Sequence, residues 1–123
     1  MPLRCLIVDD SDHFKEAARL LLEADGVAVV GAVSTTAEAL RCFDELRPDI
    51  VLVDIDLGEE NGFDLVLRLY EVAGDRPPRI ILISTYDEQD FAEMIATSPA
   101  LAFLSKPSLS GRAIDEILRR AGA

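Results

Sequence analysis

The sequence predicts an α/β fold in which a five-stranded parallel sheet is doubly wound by helices on both faces. Two features carry that reading. Five short runs are almost wholly apolar, as buried parallel strands are, and each is followed by a stretch with helical spacing of apolar residues. Alternation of this kind joins parallel strands by crossover helices, whose right-handedness leaves few topologies. At 123 residues the whole chain, 1–123, reads as one domain with room for a single core.

The elements follow in order. "CLIVDD" is a buried strand by length, ending in Asp9 and Asp10. Phe14, Ala17, Ala18, Leu21 and Leu22 recur at helical spacing, and Gly26 is a C-terminal stop. "VAVVGAV" is the second strand. Thr35 with Glu38 forms a capping box that opens a helix through Leu40, Phe43 and Leu46, halted by Pro48.

"IVLVD" is the third strand and ends in Asp54. Phe63, Val66, Leu67 and Tyr70 stripe the next helix, which Gly74 follows. "RIILIST" is the fourth strand, ending in Ser84 and Thr85, and Phe91, Met94 and Ile95 mark a shorter helix after it. "LAFLSKP" is a brief fifth strand reaching Lys106 and Pro107. Ser110 caps the last helix through Ile114, Ile117, Leu118 and Ala121, with Leu109 and Ile114 as a hydrophobic staple.

Composition narrows the function. Lys and Arg number 12 against 23 acids, a net charge of -11. Such a domain is unsuited to direct nucleic-acid binding, which draws on neutralising phosphates. No apolar run approaches the ~18 residues of a membrane span, and the N-terminal stretch lacks a signal peptide's apolar core, so a cytoplasmic location is expected. Cys5 and Cys42 have neither metal-site nor C-x-x-C spacing and read as plain thiols.

In parallel sheets ligands bind beyond the carboxyl ends of the strands. Asp9, Asp10, Asp54, Ser84 and Lys106 all fall on that rim. Carboxylates crowded together repel one another, and a divalent cation with oxygen ligands compensates them; magnesium, or manganese, suits the donor set. A carboxylate beside a cation and a lysine can act as nucleophile in phosphoryl transfer, with a hydroxyl donating to the transferred group. The lone His13 reads as a solvated residue in the first turn of helix one.

With these residues in order, the sequence resembles a response-regulator receiver domain of two-component signalling, over essentially its whole length. The pattern consists of the acid pair Asp9–Asp10, the phosphoacceptor Asp54, Ser84, Lys106 with Pro107, and Gly62 eight places past the acceptor. The intervals of 44 residues from Asp10 to Asp54, 30 from Asp54 to Ser84 and 22 from Ser84 to Lys106 fit it closely. The resemblance implies a flavodoxin- or CheY-like strand order of 2-1-3-4-5. It implies phosphoryl transfer from a sensor histidine kinase or phosphotransfer protein, with magnesium held by Asp9, Asp10, Asp54 and the backbone carbonyl of Asp56. It also implies that Ser84 and Phe103 move together and switch the surface of helix four, strand five and helix five, which dimerises or controls an output. No turnover of an external substrate is expected, only the chain's own phosphotransfer and dephosphorylation.

Three departures stand out. Gly58 replaces the proline usual after the acceptor, which frees that loop. Phe103 lacks the hydroxyl of a tyrosine switch. Asp56 and Tyr86 occupy positions that, by the resemblance, border the attacking water, and they are expected to tune the phosphoryl lifetime. Two rivals remain. One is a small phosphatase of the haloacid-dehalogenase type using the Asp54–Asp56 pair, opposed by the position of Asp9 and Asp10 upstream and by the absence of room for a cap. The other is a receiver-like module that only binds partners. Control of transcription through a C-terminal DNA-binding domain is suggested by analogy alone.

Overall fold

The computed structural model describes residues 2–122. Five strands, β1 (Arg4–Val8), β2 (Ala28–Val33), β3 (Ile50–Asp54), β4 (Ile80–Ser84) and β5 (Ala102–Ser105), alternate with five helices. These are α1 (Asp12–Ala24), α2 (Thr36–Leu46), α3 (Gly62–Ala73), α4 (Ala92–Thr97) and α5 (Gly111–Arg120). The strands are all parallel in the order β2-β1-β3-β4-β5, as the resemblance implies.

Strand side chains alternate between faces, so each apolar run feeds two cores. Leu6, Val8, Val51, Val53, Ile80 and Leu82 pack with Ala39 and Phe43 of α2 and with Leu65, Val66 and Leu69 of α3. Cys5, Ile7, Ile50, Leu52, Ile81 and Ile83 pack with Ala18 and Leu22 of α1 and with Ile114 and Leu118 of α5. Each Leu or Ile fully buried here contributes roughly 1.5–3 kcal/mol against exposure, and this burial on both faces holds the sheet together.

Helix ends follow the expected chemistry. Ser11, Thr35, Asn61 and Ser110 cap α1, α2, α3 and α5, each side chain accepting a backbone N–H of the first turn. The Thr35–Glu38 box differs in one bond: Glu38 Oε1 accepts from the Ser34 N–H and the Thr35 hydroxyl. Those two contacts, first the Ser34 N–H, hold the Glu38 carboxyl below the usual range. Leu109 and Ile114 are both buried in the α1–α5 core, as the staple requires.

Several helix faces differ from the expected stripes. On α1, Ala17 and Leu21 face solvent while Lys15 is buried, its ammonium bonded to the Ser34 hydroxyl and 3.1 Å from Asp12. Polar partners on both sides let that lysine occupy an inward position, rotating the buried face away from Leu21. On α3, Leu67 is exposed and Leu65 and Leu69 are buried instead. Phe91 lies in a 3₁₀ turn (Glu88–Phe91) preceding the short α4, and Met94 is exposed. Leu67 and Met94 border a shallow groove with Phe63 and Pro99.

The loop after β3 holds a hairpin that spacing alone did not reveal. Asp56–Leu57 pairs antiparallel with Glu60–Asn61 around Gly58 and Glu59. Gly58 has φ +75° and Glu59 does not share the positive φ, the pattern of a type II′ turn. Gly58 also donates its N–H to Asp56 Oδ1 at 3.0 Å. A proline could supply neither that φ nor that donor. The departure at Gly58 thus accompanies a paired turn, whereas the substitution alone suggested a freer loop.

Candidate functional site

Strand register assembles the rim. Val8 of β1 lies opposite Val53 of β3, so Asp9 and Asp54 emerge at the same level on adjacent central strands. Adjacent strands are about 4.8 Å apart, which forces the two carboxylates together. Asp54 pairs with Ile83, so Ser84 stands one step beyond, opposite Ser105 of β5. Lys106 opens the 3₁₀ turn Lys106–Ser108 and reaches back over the end of β4 to the acids.

Carboxylate oxygens of Asp9, Asp10 and Asp54 lie within 4.8 Å of one another. Asp9 and Asp54 are buried and Asp10 is exposed. Lys106 Nζ sits 2.7 Å from Asp9 Oδ2 and donates to Asp54 Oδ2 at 3.2 Å, bridging the pair. Asp9 Oδ1 accepts the Ser11 N–H, while Asp9 Oδ2 has no well-aligned donor among the described residues. Its contact with Lys106 is an ion pair by distance and charge, and it leaves lone-pair capacity on a fully buried carboxylate.

The electrostatics follow from this crowding. Burial, then repulsion from Asp9, pushes the Asp54 carboxyl up to about 6 from 3.8, against the opposing pull of Lys106. Burial drags the Lys106 ammonium down, but its close contact with the Asp9 carboxylate and the field of Asp54 outweigh that and leave it above the usual lysine value. The site therefore has more negative charge than one ammonium neutralises.

The remaining predicted residues surround this core. Asp56 is exposed, and its N–H donates to Asp54 Oδ1 at 3.1 Å while its own Oδ1 is engaged by Gly58. Ser84 is buried, and its hydroxyl accepts the Tyr86 N–H at 3.0 Å; no hydrogen bond joins it to Asp54 among the described residues. Tyr86 is exposed, its ring meeting Phe91 edge-on. Phe103 is half-buried against the α2–α3 core. His13 is exposed in the first turn of α1. Cys5 is fully buried, and burial pushes its thiol up to about 12, so it is inert at neutral pH.

Two residues acquire roles that spacing missed. Phe14, read only as helix core, lies with its ring centroid 4.4 Å from Lys106 Nζ, a cation–π contact. Gly62 has no space for a side chain: a Cβ there would lie 2.1 Å from the Asp54 carbonyl oxygen. That approach is sealed by the Gly62 N–H donating to the Ile55 carbonyl at 2.8 Å. The glycine landmark is a packing requirement at the backbone of Asp54 itself.

The comparisons with known proteins agree with this geometry. The family model described as the response regulator receiver domain matches residues 5–118. The chain is 36% identical over 121 residues to the positive alginate biosynthesis regulatory protein of Pseudomonas aeruginosa, covering 97% of this chain and 47% of that one. It is 29% identical over 117 residues to the chemotaxis protein CheY of Thermotoga maritima, covering 95% and 96%. A two-component response regulator of the LuxR family from Aurantimonas sp. SI85-9A1 superimposes with a TM-score of 0.83 at 27% identity, covering 98% of this chain and 87% of that one. The chain spans about half or less of the length of the first curated relatives it matches.

Proposed function

This chain belongs to the response-regulator receiver domains, and from that premise we propose that Asp54 accepts a phosphoryl group from the phosphohistidine of a sensor kinase or phosphotransfer protein. The observation that carries the proposal is the convergence of the Asp9, Asp10 and Asp54 carboxylates within 4.8 Å, with Lys106 bridging Asp9 and Asp54.

A hard divalent cation fits these residues. Three carboxylates meet in one place, and Asp9 Oδ2 is buried with no aligned donor among the described residues. Asp9, Asp10, Asp54 and the backbone carbonyl of Asp56 would hold magnesium, with manganese as substitute. A cation held there would offset negative charge on the phosphoryl oxygens and favour the ionised form of Asp54.

The chain's own groups perform the rest. An oxygen of the Asp54 carboxylate attacks phosphorus, the P–N bond to the donor imidazole breaks, and its electron pair returns to that nitrogen. Lys106 stays anchored on Asp9 and exchanges its Asp54 partner for a phosphoryl oxygen, which explains why it contacts both acids beforehand. Ser84 gives up the Tyr86 N–H and turns its hydroxyl to the phosphoryl group, and Phe103 moves with it. The altered α4–β5–α5 surface then carries the output, through dimerisation or an effector such as a DNA-binding domain. Asp56 and Tyr86 set the lifetime of the phosphoryl group. The site turns over no external substrate, and the chain, as one cytoplasmic receiver domain over 1–123, binds neither nucleic acid nor membrane directly. Among the described residues no helix is long and apolar enough to cross a membrane.

The test is acetyl phosphate labelling with and without magnesium, followed by intact mass. One phosphoryl group per chain is expected, abolished by Asp54→Asn and by chelation. Undiminished labelling of Asp54→Asn would refute the assignment.

A further inference from the structure

We propose that Glu60 is a positioning residue: it moors the 56–61 hairpin to the N-terminus of α2 and so holds Asp56 and Gly58 against the acid rim. The inference rests on the phosphoacceptor reading but concerns a residue outside the acids, hydroxyl and lysine of that reading.

Glu60 Oε1 accepts the Thr36 N–H at 2.8 Å, a bond between residues 24 positions apart. Thr36 is the first residue of α2, where a backbone N–H has no partner inside its own helix. The positive end of the helix adds an attraction for the carboxylate. The cap Thr35 serves a different donor, the Glu38 N–H, and does not compete. Glu60 is therefore held twice, by its backbone opposite Leu57 in the hairpin and by its side chain at α2.

The other end of the same hairpin touches the site. Asp56 donates to Asp54 Oδ1, and a Cβ on Gly58 would come within 3.4 Å of Asp10 Oδ2. Two residue pairs give a hairpin little stability of its own. An anchor on a rigid helix supplies the fixed position that the turn cannot. Without it the Asp56 carbonyl would have to be ordered when a cation binds, which weakens binding.

Two substitutions remove the bond from opposite sides. Glu60→Ala deletes the acceptor. Thr36→Pro deletes the donor at the first helical position, where proline is accommodated, after Thr35 in the extended conformation proline requires (φ -127°, ψ 160°). Calorimetric titration of the unphosphorylated chain with magnesium should show affinity about threefold to tenfold weaker for both. Amide hydrogen exchange in the hairpin should accelerate by a similar factor. Glu60→Gln, which keeps the acceptor oxygen, and Thr36→Ala, which keeps the N–H, should remain near the parent chain. Unchanged affinity and exchange in Glu60→Ala and Thr36→Pro would overturn the proposal, as would Glu60→Gln failing as badly as Glu60→Ala. Failure of the parent chain to label at Asp54 would instead overturn the phosphoacceptor reading, and the exchange measurement would still decide the mooring.

Discussion

Asp54 holds its charge against its surroundings, and that has a measurable sign. Its carboxyl is raised to about 6 from 3.8 by burial and by Asp9. The folded chain thus binds this proton more tightly than the unfolded chain does. Stability from this group is fully present below pH ~3.8, declines as pH rises to about 6, and is level above that. In metal-free buffer, Asp54→Asn should raise stability at pH 7 by on the order of 1 to 2 kcal/mol, with allowance for the open side of the site. The gain should vanish near pH 4; urea melts across pH 4 to 8 test both statements. Gly62 makes the opposite case at the same scale. Gly62→Ala drives a Cβ into the Asp54 carbonyl, so a loss of about 2 kcal/mol or more is expected, together with slower labelling of Asp54. A melt as stable as the parent's would show that the backbone yields there at little expense.

At the scale of elements, what matters is which contacts are local. Strand ends were legible because an apolar run that stops at an acid marks its own boundary, and Asp9, Asp54, Ser84 and Lys106 follow from parallel register once the strands are placed. Caps were legible for the same reason: Thr35 with Glu38 and Ser110 with Ala113 bond across three residues. The phase of α1 was not. Phe14, Ala17, Ala18, Leu20, Leu21 and Leu22 allow more than one buried face, and the choice turned on Lys15 finding Asp12 and Ser34. Nor were the long-range caps, Glu60 on α2 and Asp25 on α5, where Gly111 N–H donates to Asp25 Oδ2 at 2.8 Å from 86 positions away. Two predictions belong here. Asp25→Ala should cost about 1 kcal/mol in a urea melt by depriving the Gly111 N–H, at the start of α5, of its acceptor. Gly58→Pro should open the hairpin despite matching the family pattern, because φ +75° and a donated N–H are both denied to proline. Retained exchange protection across residues 56–61 in that variant would show that the turn has an equally good alternative.

At the scale of the whole molecule, a net charge of -11 and a three-carboxylate rim that binds a cation would both answer to added cations, and the two responses are separable. Diffuse repulsion among 23 acids and 12 bases is relieved by any salt, grows weakly with concentration, and does not depend on one residue. A bound cation acts by mass action, contributing about 2.7 kcal/mol at a hundredfold excess over its dissociation constant. Exchanging sodium chloride for magnesium chloride at constant ionic strength should therefore raise the melting temperature along a binding curve. Asp9→Asn is the discriminating variant, since it removes one charge from the buried heart of the rim and leaves the acidic surface otherwise intact. It should abolish the magnesium-specific rise while preserving the response to sodium chloride. An equal magnesium response in Asp9→Asn would mean that the surface reads the cation and that the rim gathers acids without binding one. A response confined to the parent chain would tie the charge excess of the site, the elevated Asp54 carboxyl and the reach of Lys106 into one device that is completed by a divalent cation.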